Sequence, residues 1–281
     1  MVRKERKDMK ENSLGSRMKT YYEERAESRL TRRTPVIIRI DGRAFHTFTK
    51  NFSRPYDAVF HNAMNKTTKY LCQNIQGCKF GYTQSDEISL FLTDYDTLET
   101  DAWFDYRVQK MCSIASSMAT MAFNKFFAES AKKWVDDYVR QYGAFVNEQD
   151  IKLVNAHEKA IEKGAMFDAR VFNIPEEEVV NYFIWRQQDA TRNAIQMLGQ
   201  TYFSHKELYK KSCNDIQEML FHEKDINFNN MSVEFKRGIC VWKDAGEWIM
   251  DKCIPVFTTS NGRAFIESMF PAEVKSNRGE R

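Results

Sequence analysis

The order of elements written in residues 36–92 predicts an α+β fold, an antiparallel sheet with helices packed on one face. Three observations carry this expectation. Val36-Ile37-Ile38-Arg39-Ile40 is a short β-branched apolar run closed by Asp41-Gly42, the pattern of a buried strand. Pro55-Tyr56-Asp57 offers a helix start, and Phe60, Met64, Leu71 and Ile75 follow at three- and four-residue spacing until Gly77 breaks the run. Lys79-Phe80-Gly81-Tyr82 and Ile88-Ser89-Leu90-Phe91-Leu92 then flank the turn Thr83-Gln84-Ser85-Asp86. Strand, helix and hairpin make a β-α-β-β unit, which brings the end of the first strand beside the hairpin tip.

The remaining elements extend that unit. Residues 1–16 are polar and read as a mobile lead-in, and a helix is expected over 17–30, ended by Thr34-Pro35. Residues 102–142 read as helix, with Ala115, Ser116, Ala119 and Ala122 forming a small-residue stripe suited to lying close on the sheet. A further strand is expected over 167–173. Pro175 followed by Glu176, Glu177 and Glu178 then opens a helix with acids where the macrodipole favours them. Later helices are signalled by Ser204-His205-Lys206-Glu207 and by residues 215–220, and a closing hairpin by residues 237–242 and 247–250. The expected organisation is a lead-in over 1–16, a catalytic core over 17–145 and the rest of the core with a helical and hairpin extension over 146–270. Residues 271–281 are expected to fray.

Composition excludes several classes. Hydrophobic residues at 42% and charged residues at 29% suit a soluble globular protein, and no apolar run reaches the roughly 20 residues that span a bilayer. The N-terminal residues lack the apolar segment of an export signal, so a cytoplasmic location with no membrane partner is expected. Six cysteines without a C-x-x-C pair read as reduced structural thiols, with a Cys72–Cys78 disulfide as the minor alternative. The net charge of +3 is too small to announce nucleic-acid binding. Residues 1–33 are rich in Arg and Lys but interleaved with acids, and read as a solvated face.

The chemistry concentrates in two places, Asp41-Gly42-Arg43-Ala44-Phe45-His46 and Ser85-Asp86-Glu87. Two carboxylates on a strand end and a hairpin tip can share Mg²⁺ and a polyphosphate, the requirement of nucleotidyl transfer. Gly42 permits close backbone approach and has a carbonyl to lend, while the turn at 43–46 offers N–H groups to phosphates. Taken singly, Asp41-Gly42 also reads as a turn and Ser85-Asp86 as a hairpin cap. His46 alone reads as a packing or hydrogen-bonding histidine. Arg107 and Lys110, three apart on a helix, suit either a triphosphate clamp or a solvated face. Arg186 and Arg192 beside Tyr182 and Trp185 suit contact with unpaired nucleotides, and Lys206, Lys210 and Lys211 suit an RNA backbone, although aromatics at this spacing also read as core and the lysines as surface.

RIDGRAFHTF and RPYD, followed in order by GYTQSDEISL, FDARVF, IWRQQDATRN and KRG, resemble the tRNA-histidine guanylyltransferase superfamily over roughly residues 20–245. The combination is specific where a lone DGR or SDE is not. The resemblance implies a polymerase palm-like domain, of the ferredoxin/RRM-like β-α-β-β kind, run in reverse to add nucleotides in the 3′-5′ direction. ATP activates a tRNA 5′-monophosphate, and the 3′-hydroxyl of an incoming GTP or other nucleotide then attacks it. It implies that Asp41, the Gly42 carbonyl and Asp86 hold two Mg²⁺ ions, and that Gly42 to His46 with Ser85 cradle the nucleotide. Arg54, Arg107 and Lys110 match basic positions near triphosphate, and the family is typically a homotetramer.

One departure bears on substrate. Histidine-specific eukaryotic members carry a histidine in W-R-Q-x-D-x-H, where this chain has Thr191. Template-directed repair of 5′-truncated tRNA is therefore expected before histidine-tRNA-specific addition, since base pairing then reads the sequence. The alternatives are a palm-fold nucleotide cyclase or dinucleotide synthetase and a non-catalytic RNA-binding module. The last of these lacks its expected aromatic pattern.

Overall fold

A computed structural model describes residues 13–145 and 147–271. The larger part of the expected lead-in and all but the first residue of the expected frayed end lie outside that range. The first helix, α1 (Leu14–Met18), is capped by Ser13, whose Oγ accepts from the Ser16 amide at 3.1 Å. The chain winds on through Ala26 as a π turn and a 3-10 turn. The helix expected over 17–30 thus begins earlier and stops sooner. Its last residues are claimed by another segment: the Val108 amide donates to the Ser28 carbonyl and the Leu30 amide to the Tyr106 carbonyl.

Six strands, β1 (Val36–Gly42), β2 (Cys78–Gln84), β3 (Glu87–Leu92), β4 (Phe167–Asn173), β5 (Ile239–Asp244) and β6 (Glu247–Asp251), form one sheet. Their order is β4-β1-β3-β2-β5-β6 and every pairing is antiparallel. The register sets Asp41 opposite Glu87 on one side and Asp168 on the other. Strand alternation does the rest. Val36, Ile38 and Ile40 enter one core, while Ile37 belongs to a second core on the opposite face. Arg39 and Asp41, being odd-numbered like Ile37, share that second face.

The first face is covered by α3 (Ala58–Asn74) and α4 (Val108–Tyr142), after the short α2 (Phe45–Phe48). Asp57 caps α3 through a 2.9 Å bond from the Phe60 amide. Ala115, Ala119 and Ala122 are buried, as the small-residue stripe anticipates; the helix begins at 108 rather than 102 because Trp103–Tyr106 forms a 3-10 turn. The second face is covered by the helical extension, so helices pack on both faces and not on one as the sequence predicts, because Ile37, Phe80, Tyr82 and Phe91 make that face apolar as well. Val179, Val180 and Phe183 of α6 (Glu176–Tyr202), with Ile266 of α10 (Ser260–Glu267), pack on Ile37, Phe80, Tyr82 and Phe91. The far half of α6 builds a third core with α8 (Cys213–Lys224) and α9 (Val233–Arg237), the capped turn α7 (His205–Leu208) standing between.

Helices α9 and α10 have no counterpart in the sequence reading, and neither has a longer helix between α4 and β4. α5 (Glu148–Lys163) is capped by Asn147, whose Oδ1 accepts from the Asp150 amide at 2.8 Å. It docks through buried His157, whose ring meets Phe52, Phe127 and Trp134 edge-on and lies 3.0 Å from Asp57. All six cysteines are free thiols, so no Cys72–Cys78 bridge forms. Among the described residues no helix is long and apolar enough to cross a membrane.

Candidate active site

The two acidic motifs meet at one end of the sheet. The Gly42 amide donates to the Asp86 carbonyl at 3.0 Å, tying the end of β1 to the β2–β3 hairpin. The Arg43 amide donates to Met166, and the chain then turns through Ala44 in the left-handed region (φ 55°) into α2. Gly42 is required by a neighbour within its own motif: a Cβ there would lie 2.3 Å from the Phe45 ring. Phe45 is buried among Phe48, Phe60, Phe123 and Phe167, so the turn is anchored by an aromatic core. The amides of Ala44, Phe45 and His46 form the first turn of α2, where a helix leaves donors without intrahelical acceptors.

Asp86 stands where two cavities meet. The larger, about 470 Å³, is lined by Gly42, Ala44, Phe45, His46, Arg54, His61, Ser85 and Asp86 among others. The smaller, about 80 Å³, holds Asp41, Asp86 and Glu87 with Arg186, Asp189 and Asn193. Burial pushes the Asp86 carboxyl above its ordinary 3.8 and the nearby Asp41 charge adds to this, against its backbone amide and the Ser85 hydroxyl, which donates at 3.0 Å. Among the described residues no cation lies within ion-pair distance of Asp86.

Asp41 is differently placed. Arg170 Nη1 lies 2.6 Å from one of its oxygens and Arg39 Nη2 lies 3.4 Å from the other. Arg39 also pairs with Glu87 at 2.8 Å, and Glu87 with Arg186 at 2.6 Å. Arg186 continues to Asp189 at 2.8 Å, which in turn holds Arg192. Alternating charges thus run under α6 from the site into the helix. Arg39 and Arg170 take no part in the sequence reading; the signal was there, since the odd positions of β1 and the facing positions of β4 are polar at their site ends.

His61 is a third residue the sequence reading misses. It lies under Tyr56, with ring centroids 4.1 Å apart and planes at 4°, and burial pushes its imidazole down to about 4. A neutral His61, stacked on Tyr56, therefore stands in the cavity wall at neutral pH. His61 sits one turn after the Asp57 cap, where helical periodicity alone cannot show which face meets the turn after β1.

The expected site residues divide. Asp41, Gly42, Arg43, Ala44, Phe45, His46, Arg54, Ser85 and Asp86 are brought to one end of the sheet. Arg107 and Lys110 are not. Arg107 pairs with Glu27 at 3.3 Å and bridges Arg29, while Lys110 Nζ sits 4.7 Å from the centroid of the Phe104 ring. This is the opposite end, about 17 Å away along β3. They do not clamp a triphosphate above the carboxylates of their own chain, because α4 starts at the far end and runs toward the site. Arg186, expected among RNA contacts, is 6% exposed and spent on Glu87 and Asp189; Tyr182 is core, with Trp185 exposed beside it. Arg192, Lys206, Lys210 and Lys211 are exposed.

No group of three or more His, Cys, Asp or Glu among the described residues is arranged to hold a metal. Two carboxylates and a backbone carbonyl nevertheless suit Mg²⁺, which is bound by few protein ligands together with substrate phosphates. Asp86, buried beside a second acid and without a protein cation, fits that role.

A family profile described as tRNAHis guanylyltransferase matches residues 15–175. The structure resembles a bacterial tRNA(His) guanylyltransferase-like protein in complex with ATP, at 40% identity and TM-score 0.75, covering 92% of this chain and 98% of that one. A similar complex with GTP matches at 36% identity and TM-score 0.71, covering 92% and 99%. The tRNA(His) guanylyltransferase of Saccharomyces cerevisiae is 27% identical over 73% of this chain and 81% of its own. A profile spanning more than half the chain and a 40% identical fold matched almost end to end agree with the paired motifs, and the chain belongs to the tRNAHis guanylyltransferase family of palm-like nucleotidyltransferases.

Proposed function

We propose that this chain adds nucleotides in the 3′-5′ direction to the 5′ ends of tRNA, and that its preferred work is template-dependent repair of 5′-truncated tRNA. The observation that carries the reading is the position of Asp86, shared by a cavity large enough for a nucleotide and by the small polar cavity of Asp41. Similarity to the ATP and GTP complexes supports both nucleotides as substrates.

Asp41, Asp86 and the Gly42 carbonyl would hold two Mg²⁺ ions, which when bound neutralise triphosphate charge and stabilise the charge that develops on the transferring oxygens. The α2 amides donate to phosphate oxygens, the Ser85 hydroxyl orients Asp86 beside them, and Arg54 lines the same cavity. His61, held neutral, gives the base a flat wall without placing a second cation beside the phosphates. Arg39 and Arg170 hold the Asp41 carboxylate in orientation.

Thr191 supports repair over anticodon reading. Its hydroxyl lies 3.0 Å from the Gln187 carbonyl and 3.1 Å from the Lys236 carbonyl, so the side chain is turned into its own protein. A homotetramer belongs to the same proposal and is checked by light scattering. The functional test supplies labelled ATP and GTP with and without 5′-truncated tRNAs of several identities. Extension of several tRNAs is expected; a cyclic nucleotide formed without RNA, or strict dependence on the histidine anticodon, contradicts the reading.

A further inference from the structure

A second cavity, about 960 Å³, opens between the 50–54 loop and α5 and ends at Thr201 near the C-terminus of α6. It is lined by Lys50, Arg54, Lys152 and Lys159 against a single carboxylate, Asp150. That carboxylate is already engaged, accepting from Tyr138 and, at 2.6 Å, from Asn147. Lys152 pairs with Glu148 at 2.8 Å, but both side chains are well exposed and such pairs hold weakly. Among the described residues no carboxylate lies within ion-pair distance of Lys50, Arg54 or Lys159. The groove adjoins the nucleotide cavity, since Phe52, Ser53 and Arg54 line both.

The lining chemistry selects an occupant. Phe52 is buried in the aromatic core, and no other aromatic side chain lines the groove to stack a base. Lys152 and Lys159 are seven residues apart, two turns on one face of α5 and about 10 Å along its axis. Both ammonium groups can therefore meet phosphates of one strand. We infer that this groove holds the phosphodiester backbone of the RNA strand whose 5′ end lies at Asp41 and Asp86, with Arg54 at the junction. The inference rests on the proposed function and names the path by which that substrate leaves the site. A nucleoside triphosphate could offer the same phosphate chemistry, so the test separates the two sources.

Lys152→Ala/Lys159→Ala and the charge-keeping Lys152→Arg/Lys159→Arg are compared with the unaltered protein. Binding of a 5′-monophosphorylated, 5′-truncated tRNA is followed by fluorescence anisotropy over a salt series, and KM is measured separately for ATP and for RNA. The alanine variant is expected to lose affinity about ten-fold and to lower the slope of log K against log salt by roughly 1.5–2, while the arginine variant keeps the slope. KM rises for RNA and not for ATP. An unchanged salt slope in an otherwise active protein overturns the groove alone, as does a KM increase confined to ATP. An unaltered protein that neither binds nor extends the RNA overturns the proposed function as well.

Discussion

The two ends of the sheet treat buried acid in opposite ways. At the end where β3 finishes, Asp94 is 1% exposed and fully provided for: Arg32 Nε lies 2.5 Å away and the Arg33 amide donates at 2.8 Å. Around it Glu27, Asp105 and Asp96 each face an arginine or lysine. At the other end Asp86 has a serine hydroxyl and a neighbouring acid. Asp94 is compensated within the protein and is a structural part, whereas Asp86, left beside a like charge, is poised for a cation from outside. The difference separates stability from chemistry within one sheet.

The largest expected effect breaks the comparison at its functional side. Asp86→Asn should lower nucleotide addition on the order of 1,000-fold or more while leaving the melting temperature equal or higher, because it removes a buried charge without a partner. Single-turnover rates and thermal melts measure the two. At the other end Asp94→Ala should cost on the order of 2–3 kcal/mol in urea unfolding and leave kcat within about two-fold, since it deletes charge-assisted bonds remote from the site.

Acidity sharpens the same contrast. The Asp86 carboxyl is raised in the folded state, so its contribution to stability is fully present below the ordinary 3.8 and is lost as pH rises through the folded value. Asp57 is the reverse case. Burial opposes it, but His157 and the Phe60 and Ser53 amides hold its carboxyl below the ordinary value, so its stabilisation is present above 3.8 and lost as pH falls through the folded value. Urea titrations across pH should therefore show Asp86→Asn gaining on the unaltered protein as pH rises from 3.8, and Asp57→Asn losing ground below that value, as pH rises from the folded Asp57 value to 3.8. The smallest effect is expected from Arg29→Ala, whose half-exposed pairs with Glu27 and Asp105 should be worth less than about 1 kcal/mol.

Much of this was legible in the sequence because it depends on short-range pattern. The apolar run ending in Asp41-Gly42, the hairpin around Ser85-Asp86 and the strand at 167–173 need only alternation and turn chemistry, and they place both carboxylates. What was not legible depends on register and direction. Arg186 looks like an RNA contact until the pairing of Asp41 with Glu87 shows that an acid waits beneath it. Arg107 looks like a clamp until α4 is seen to begin at the far end. The helix expected through residue 30 yields at Glu27 because Ser28 and Leu30 pair with the 106–108 turn, a tertiary demand that local propensity does not contain. α5 went unread although it builds one wall of the basic groove.

The most direct test of the central claim is extension of a 5′-monophosphorylated, 5′-truncated tRNA with labelled GTP, ATP and Mg²⁺, comparing the unaltered protein with Asp86→Asn. The expected result is template-matched nucleotides added at the 5′ end by the unaltered protein and almost none by the variant, with both proteins folded. Equal extension by the two proteins would contradict the assignment of Asp86 as the carboxylate shared by nucleotide and metal.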